Sequence, residues 1–245
     1  MPVKHDETTL NSPGNEGNDT SLFSPLETFG YTLLLLIGLQ FLAPLIILPF
    51  YLVAGHSVFE LTQNMPFLLV ATFLWQLLAI ALLCWLVKIK KGTLSTYFRL
   101  VSVSKMDVAR IVVSFISVIL LLEVISRLLD VQPNQMMLQM IRENNPILVF
   151  TVLVLLAPFF EELVFRGFLF NEIEKSLGAL AAITAPALLF AIIHLQYGFQ
   201  EQFMVALIAL ILGFLRYRYR NLWIPIGVHT MNNLISIVFY VSVYH

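Results

Sequence analysis

Charge is what this sequence has least of. Only 12% of its 245 residues are Asp, Glu, Lys or Arg, about half the share of an ordinary soluble domain. With 59% hydrophobic residues and a mean hydropathy of +0.86, a water-soluble fold is excluded. Cysteine is nearly absent as well. The one thiol, Cys84, lies inside an apolar run. That rules out an internal disulfide and a cysteine metal cluster, and the residue reads as a small buried hydrophobe. No basic tract occurs and the formal net charge is −1, so nucleic acid is excluded as a partner.

What the chain does have is apolar runs near 20 residues long. They predict an all-α fold, a polytopic transmembrane helical bundle of about seven spans in a lipid bilayer. The spans are read at about residues 28–53, 66–87, 108–129, 146–175, 179–195, 203–215 and 222–243. Pro44 and Pro49 are expected to kink the first. The sixth is short enough to be a tilted or re-entrant piece. Residues 1–26 are polar and rich in Ser, Asn, Thr, Gly and Pro, the composition of a disordered tail. They are not read as a signal peptide, because the first apolar run is longer than a signal core. The chain thus divides into a tail (1–26), amino-terminal transmembrane helices (27–130) and a carboxyl-terminal transmembrane domain (146–244).

Basic residues orient such a bundle. Of the 14 Lys and Arg, six fall between Lys88 and Arg110. Three more (Arg216, Arg218, Arg220) follow the sixth span. Arg166 and Lys175 belong to the inner half of the fourth. Placing these segments and Lys4 in the cytoplasm leaves only Arg127 and Arg142 outside. The amino terminus is then cytoplasmic and the carboxyl terminus external, which requires an odd number of spans. Within the basic segment, Leu94, Tyr97, Phe98 and Val101 share one helical face. That spacing predicts an amphipathic helix lying on the membrane, with a solvated loop as the equal alternative. The Met-rich stretch at 134–140 reads as an amphipathic turn on the outer surface.

Against this background a few polar residues stand at membrane depth, where each costs at least roughly 2.5–3.5 kcal/mol and is a functional hypothesis by default. Glu161, Glu162 and Arg166 interrupt "APFFEELVFRGFLF"; Phe190 and His194 fall one helical turn apart in "FAIIHLQ"; His229 and Asn233 do so in "PIGVHTMNN". Their heights are comparable. Gly178 is the expected stop between the fourth and fifth spans. Glu161 precedes it and His194 follows it by stretches of chain that are equal to within one position. In an antiparallel hairpin both lie about 24–26 Å from the turn, at ~1.5 Å per residue. They are level, as a shared site requires. The same count places His229 opposite Gly213, where helices can approach closely, but leaves it off the height of His194 by roughly 12 Å.

The spacing also separates the two carboxylates. Glu162 and Arg166 are an i,i+4 pair. Glu161 is rotated by about 100° and has no cation on its own helix, which leaves it to accept a proton. The chemistry this supports is peptide-bond hydrolysis in the membrane. Glu161, helped by His194, deprotonates a water, while His229 and the Asn233 amide donate to the developing oxyanion. No serine or cysteine stands in a comparable constellation. Two histidines and a glutamate (Glu161, His194, His229) also make an acceptable zinc set with an open position, though HExxH is absent. The reading carried forward needs no cofactor, with zinc as the alternative.

Blander readings accompany each cluster. Glu161, Glu162 and Arg166 would serve as an ion pair locking helices, His194 as a satisfied buried histidine, and His229 with Asn233 as interhelical polar glue. Phe190 reads as packing that shapes the pocket beneath His194. Glu123 and Arg127 read as a structural pair, and His5, His56 and His245 receive no role. A transporter would need polar residues along a path and a repeat between halves, neither of which is found. A catalytically idle scaffold would not need all four reactive positions.

"EELVFR", "FAIIH" and "HTMNN" fit EExxxR, FxxxH and HxxxN. In that order, inside three apolar spans, they resemble the signatures of the CAAX protease and bacteriocin-processing family, also called Abi. These are intramembrane endopeptidases related to the type II CAAX prenyl protease. The resemblance covers about residues 146–240, including "GFLRYRYRNLWIPIGVH". It implies that Glu161 and His194 activate the water, that His229 and Asn233 form the oxyanion site, and that Glu162 and Arg166 assist. It further implies a peptide or protein substrate at the membrane and a bacterial-type plasma membrane, with no reason to assume a prenylated substrate.

Overall fold

The structure is a computed structural model that describes residues 22–244 apart from 56, 59, 60, 62, 133, 195 and 196. Most of the polar tail expected to be disordered, residues 1–21, lies outside the described residues, as do His5, His56 and His245. The fold is all helix among the described residues.

Ser24 starts the first span, α1 (Pro25–Val53). Its backbone N–H donates to Glu27 Oε2 at 2.8 Å and its hydroxyl accepts from the Glu27 N–H at 3.3 Å, a reciprocal cap that satisfies two helix-end donors. Pro44 and Pro49 both lie inside the helix. Asn64 caps α2 (Met65–Ile89), accepting from the Phe67 N–H at 2.9 Å. A single turn, α3 (Leu94–Tyr97), leads to α4 (Lys105–Leu129), and α5 (Gln135–Glu143) follows. The remainder is α6 (Pro146–Ile193), α7 (Phe199–Tyr219) and α8 (Trp223–Tyr244).

Six helices among the described residues are long and apolar enough to cross a membrane, so this is an integral membrane protein. One of them is 48 residues long. At ~1.5 Å per residue it would reach roughly 72 Å, more than twice the ~30 Å hydrocarbon thickness. It is not one crossing. Gly178, at φ 82° and ψ 177°, breaks it in a region of backbone space that only glycine enters cheaply. Phe165, in the arm before Gly178, meets Phe190, almost equally far along the arm after it, with ring centroids 5.0 Å apart. The two arms therefore fold back antiparallel in the expected register, and with both arms counted the described residues offer seven apolar segments for crossing.

The first arm of α6 is the central helix of the bundle. Every residue of Leu163–Leu169 is buried, within a cluster that includes Phe23, Leu83, Phe98, Phe160 and Phe190. Two stretches of this arm, Phe150–Leu156 and Leu163–Leu169, are π-helical, and they flank the α-helical Ala157–Glu162. Such wide turns recur at functional sites.

Three expectations need correction. The sixth span is not a short piece at 203–215 but a 21-residue helix, Phe199–Tyr219. Its polar ends stay helical because the Gly198 N–H donates to Glu201 at 3.0 Å and because Arg216 is buried with partners of its own. Residues 94–101 form neither an amphipathic surface helix nor a solvated loop. Tyr97 and Phe98 plunge into the bundle, and a Cβ on Gly167 would lie 2.7 Å from Phe98 Cδ1. Gly213 allows a close approach, but to Ile183 in the second arm of α6 rather than to the helix of His229. The Met-rich stretch is a short helix, α5, with Leu138 and Met140 buried. Glu123 and Arg127 pair at 2.6 Å on the exposed face of α4.

Candidate active site

The hairpin of α6 and the first turns of α8 bring the three polar clusters together. Glu162 lies at the centre, fully buried. Its Oε1 accepts from Arg166 Nη1 at 2.8 Å, one helical turn on, and from His229 Nδ1 at 2.9 Å on α8. Arg166, 1% exposed, spends its second amino group on the Ala209 carbonyl at 2.8 Å. Its guanidinium lies 5.2 Å from the Phe190 ring, within cation–π range. Glu162 Oε2 is buried with no hydrogen-bond partner among the described residues.

Glu161, on the neighbouring face, has no such clamp. Its Oε2 lies 3.6 Å from His229 Nε2, so one imidazole bridges the two carboxylates. The His194 ring is oriented by its own helix end, with Nδ1 2.6 Å from the Phe190 carbonyl. A carbonyl only accepts, so Nδ1 carries a proton and Nε2 is the nitrogen left to the site. Phe190 lies between the imidazoles, 4.5 Å from the His194 ring and 6.1 Å from that of His229. Tyr197 stacks on the other side of His194 at 5.4 Å. Asn233 is one turn beyond His229 and donates Nδ2 to the Leu153 carbonyl at 2.9 Å, which leaves its second amide hydrogen to give.

Contacts thus join Glu161, Glu162, Arg166, Phe190, His194 and His229 into one constellation, with Asn233 one turn beyond it on α8. Two features were not anticipated. His229 pairs with Glu162 as well as facing Glu161, and its mismatch in height with His194 disappears once α7 is a full-length helix. Arg216, counted only as an orienting charge, is fully buried. Its Nε donates to the Arg166 carbonyl at 3.0 Å and its Nη2 to Asn171 Oδ1 at 2.8 Å. The signal was available in principle: Arg216 continues the buried Leu212 and Leu215 stripe at helical spacing.

A metal would need convergent ligands. Among the described residues no three His, Cys, Asp or Glu side chains stand in position to hold one.

Comparison with known proteins adds a likeness over part of the chain. Residues 143–235 match the model described as type II CAAX prenyl endopeptidase Rce1-like. This segment resembles that family. It contains every residue of the constellation, from Leu153 to Asn233. The chain is also similar to the UPF0177 protein YvdC of Lactococcus lactis subsp. lactis (strain IL1403), 36% identical over 105 residues. That match covers 43% of this chain and 40% of the relative, so the chain spans about two fifths of the length of the curated relative it matches. No solved structure matches the chain.

Proposed function

We propose that this protein is an intramembrane endopeptidase that cleaves membrane-associated peptides or proteins with a water activated by Glu161 and His194. The observation carrying this reading is the unequal treatment of the two glutamates. Glu162 is held by a guanidinium and an imidazole, whereas Glu161 faces the same imidazole at 3.6 Å while the guanidinium of Arg166 is spent on Glu162 and the Ala209 carbonyl.

The roles follow from the atoms each group has left. Glu161 takes the proton of the attacking water, with Nε2 of His194 as the second acceptor that aims the water at the scissile carbonyl. His229, oriented by the contact of its Nδ1 with Glu162, turns Nε2 toward the oxyanion as a donor, and the spare hydrogen of Asn233 adds a second. Collapse of the intermediate returns the proton from Glu161 to the leaving amine. Glu162, Arg166 and Phe190 are positioning residues, since they touch the reacting groups' partners rather than substrate. No step needs a metal. The positive-charge distribution supports an amino terminus in the cytoplasm and a carboxyl terminus outside.

The test is cleavage of a quenched-fluorescence peptide library by full-length protein reconstituted in lipid. Glu161→Gln and His194→Ala should each lower the rate by about 10²–10⁴-fold, the usual worth of a positioned base, with insertion and helicity unchanged. Full activity in either variant refutes the assignment. Activity surviving exhaustive chelation is the expected outcome, and loss that zinc restores would establish the metal-dependent version instead.

A further inference from the structure

A second site stands apart from the glutamates, at the membrane edge where α2, α3 and α7 end. A cavity of about 990 Å³ opens there. Three cations line it, Arg99, Lys175 and Arg220, against one carboxylate, Glu174. Arg220 Nη1 engages both oxygens of Glu174 at 2.6 Å, so the lining as a whole carries net positive charge. The hydroxyls of Thr93, Ser95 and Thr96 line the same cavity. Asn171, 7% exposed, forms part of its floor, where its Oδ1 holds buried Arg216 at 2.8 Å.

The backbone is built to keep this wall in place. Arg99 and Arg220 both adopt φ 53°, the left-handed stop that commonly ends a helix, and the Leu222 N–H donates to the Arg99 carbonyl at 3.1 Å.

Clustered guanidinium and ammonium groups with several hydroxyl donors are the chemistry that holds phosphate oxygens. At the end of apolar spans, the same chemistry recognises acidic headgroups. We infer that this cavity binds a phosphate group, carried by an anionic phospholipid or free in solution. Arg99, Lys175 and Arg220 are the cations of the site, and Ser95 and Thr96 its neutral donors.

The full chain is reconstituted in nanodiscs containing phosphatidylcholine with phosphatidylglycerol, and retained lipid is counted by native mass spectrometry. In parallel, thermal unfolding is followed in inorganic phosphate against chloride at equal ionic strength. Each surface cation contributes about fivefold to anionic-lipid affinity. Arg99→Gln with Lys175→Gln should therefore cut the preference by about 25-fold. Ser95→Glu, at an exposed position, should act in the same direction without removing a cation, and serves if the double variant misfolds. Phosphatidylglycerol retention that falls in the variants, without a phosphate effect, assigns a lipid headgroup. Stabilisation by phosphate that falls in the variants, without lipid preference, assigns the free anion. No preference in the native protein, or one that survives in both variants, overturns the site.

Discussion

Arg166→Met asks how much of this bundle rests on one buried ion pair. The guanidinium makes two side-chain contacts, to Glu162 Oε1 and to the Ala209 carbonyl, both at 2.8 Å. Both ends of the pair are essentially inaccessible, at 1% and 0% exposure. Removing one partner leaves Glu162 buried with His229 alone, and orphaning a buried charge typically costs about 3–5 kcal/mol. The lost bond to Ala209 is part of that figure, at about 1.5–3 kcal/mol for a charged donor. Glu162→Gln alone should cost a similar amount, because it strands the guanidinium. The double variant should not cost the sum, since neutral groups of similar size replace a buried pair at little penalty. A double-variant cycle by unfolding in mild detergent should return a coupling of at least about 2 kcal/mol. Single variants that each cost under about 1 kcal/mol, or costs that simply add, would mean that water reaches the pair and screens it. The description of a dry clamp on Glu162 would then be wrong.

Other outcomes test separate parts of the structure. Asn233→Ala should lower turnover by about 10²–10³-fold if its spare hydrogen reaches the oxyanion, with KM little changed; a change confined to KM would refute that role. Phe190→Ala should destabilise by about 3–5 kcal/mol and depress turnover with it, whereas a stable, fully active variant would show that the ring does not position the imidazoles. Gly178→Ala should cost about 1–3 kcal/mol by unfolding midpoint although open space surrounds the new Cβ, because its φ is 82°; a neutral result would refute the strained turn. Burial, with the Glu172 carboxylate at its hydroxyl, pushes the Tyr97 phenol well above its usual range. The phenol stays protonated in the fold, so its contribution to stability is complete below about pH 10 and declines as pH rises further. That decline should vanish in Tyr97→Phe, and a decline that persists there would refute the assignment.

Much of this was legible in the residues, for reasons that also explain what was not. The hairpin at Gly178 could be read because a glycine stop and two apolar runs fix a register, and residue counting then makes Glu161 level with His194. The clamp between Glu162 and Arg166 followed from helical spacing. The length of α7 did not, because Gln200, Glu201 and Gln202 at one end and Arg216 and Arg218 at the other look like loop residues. Only tertiary contacts, chiefly those of Arg216 to Asn171 and the Arg166 carbonyl, make its basic end helical and buried. Leu94, Tyr97, Phe98 and Val101 show the limit of periodicity. A shared apolar face announces burial, yet it cannot say whether lipid or protein does the burying. The pairing of His229 with Glu162 was hidden for a similar reason, since it joins side chains on helices far apart in the chain.

The wide turns on either side of the glutamates carry one more consequence. Leu153 lies in one and Arg166 in the other, and each lends its carbonyl to a side chain from a different helix, Asn233 and Arg216 respectively. A π turn holds one more residue than the α turn it replaces. Deleting one residue between 163 and 169 would therefore return that turn to ordinary winding and leave Phe190 and His194 in phase with the glutamates. A deletion in the α-helical stretch 157–160, which has no residue to spare, would instead rotate both glutamates by about 100° against Leu153. The helix that bears the reactive pair should accordingly tolerate a shortening inside the second wide turn, but not between the two.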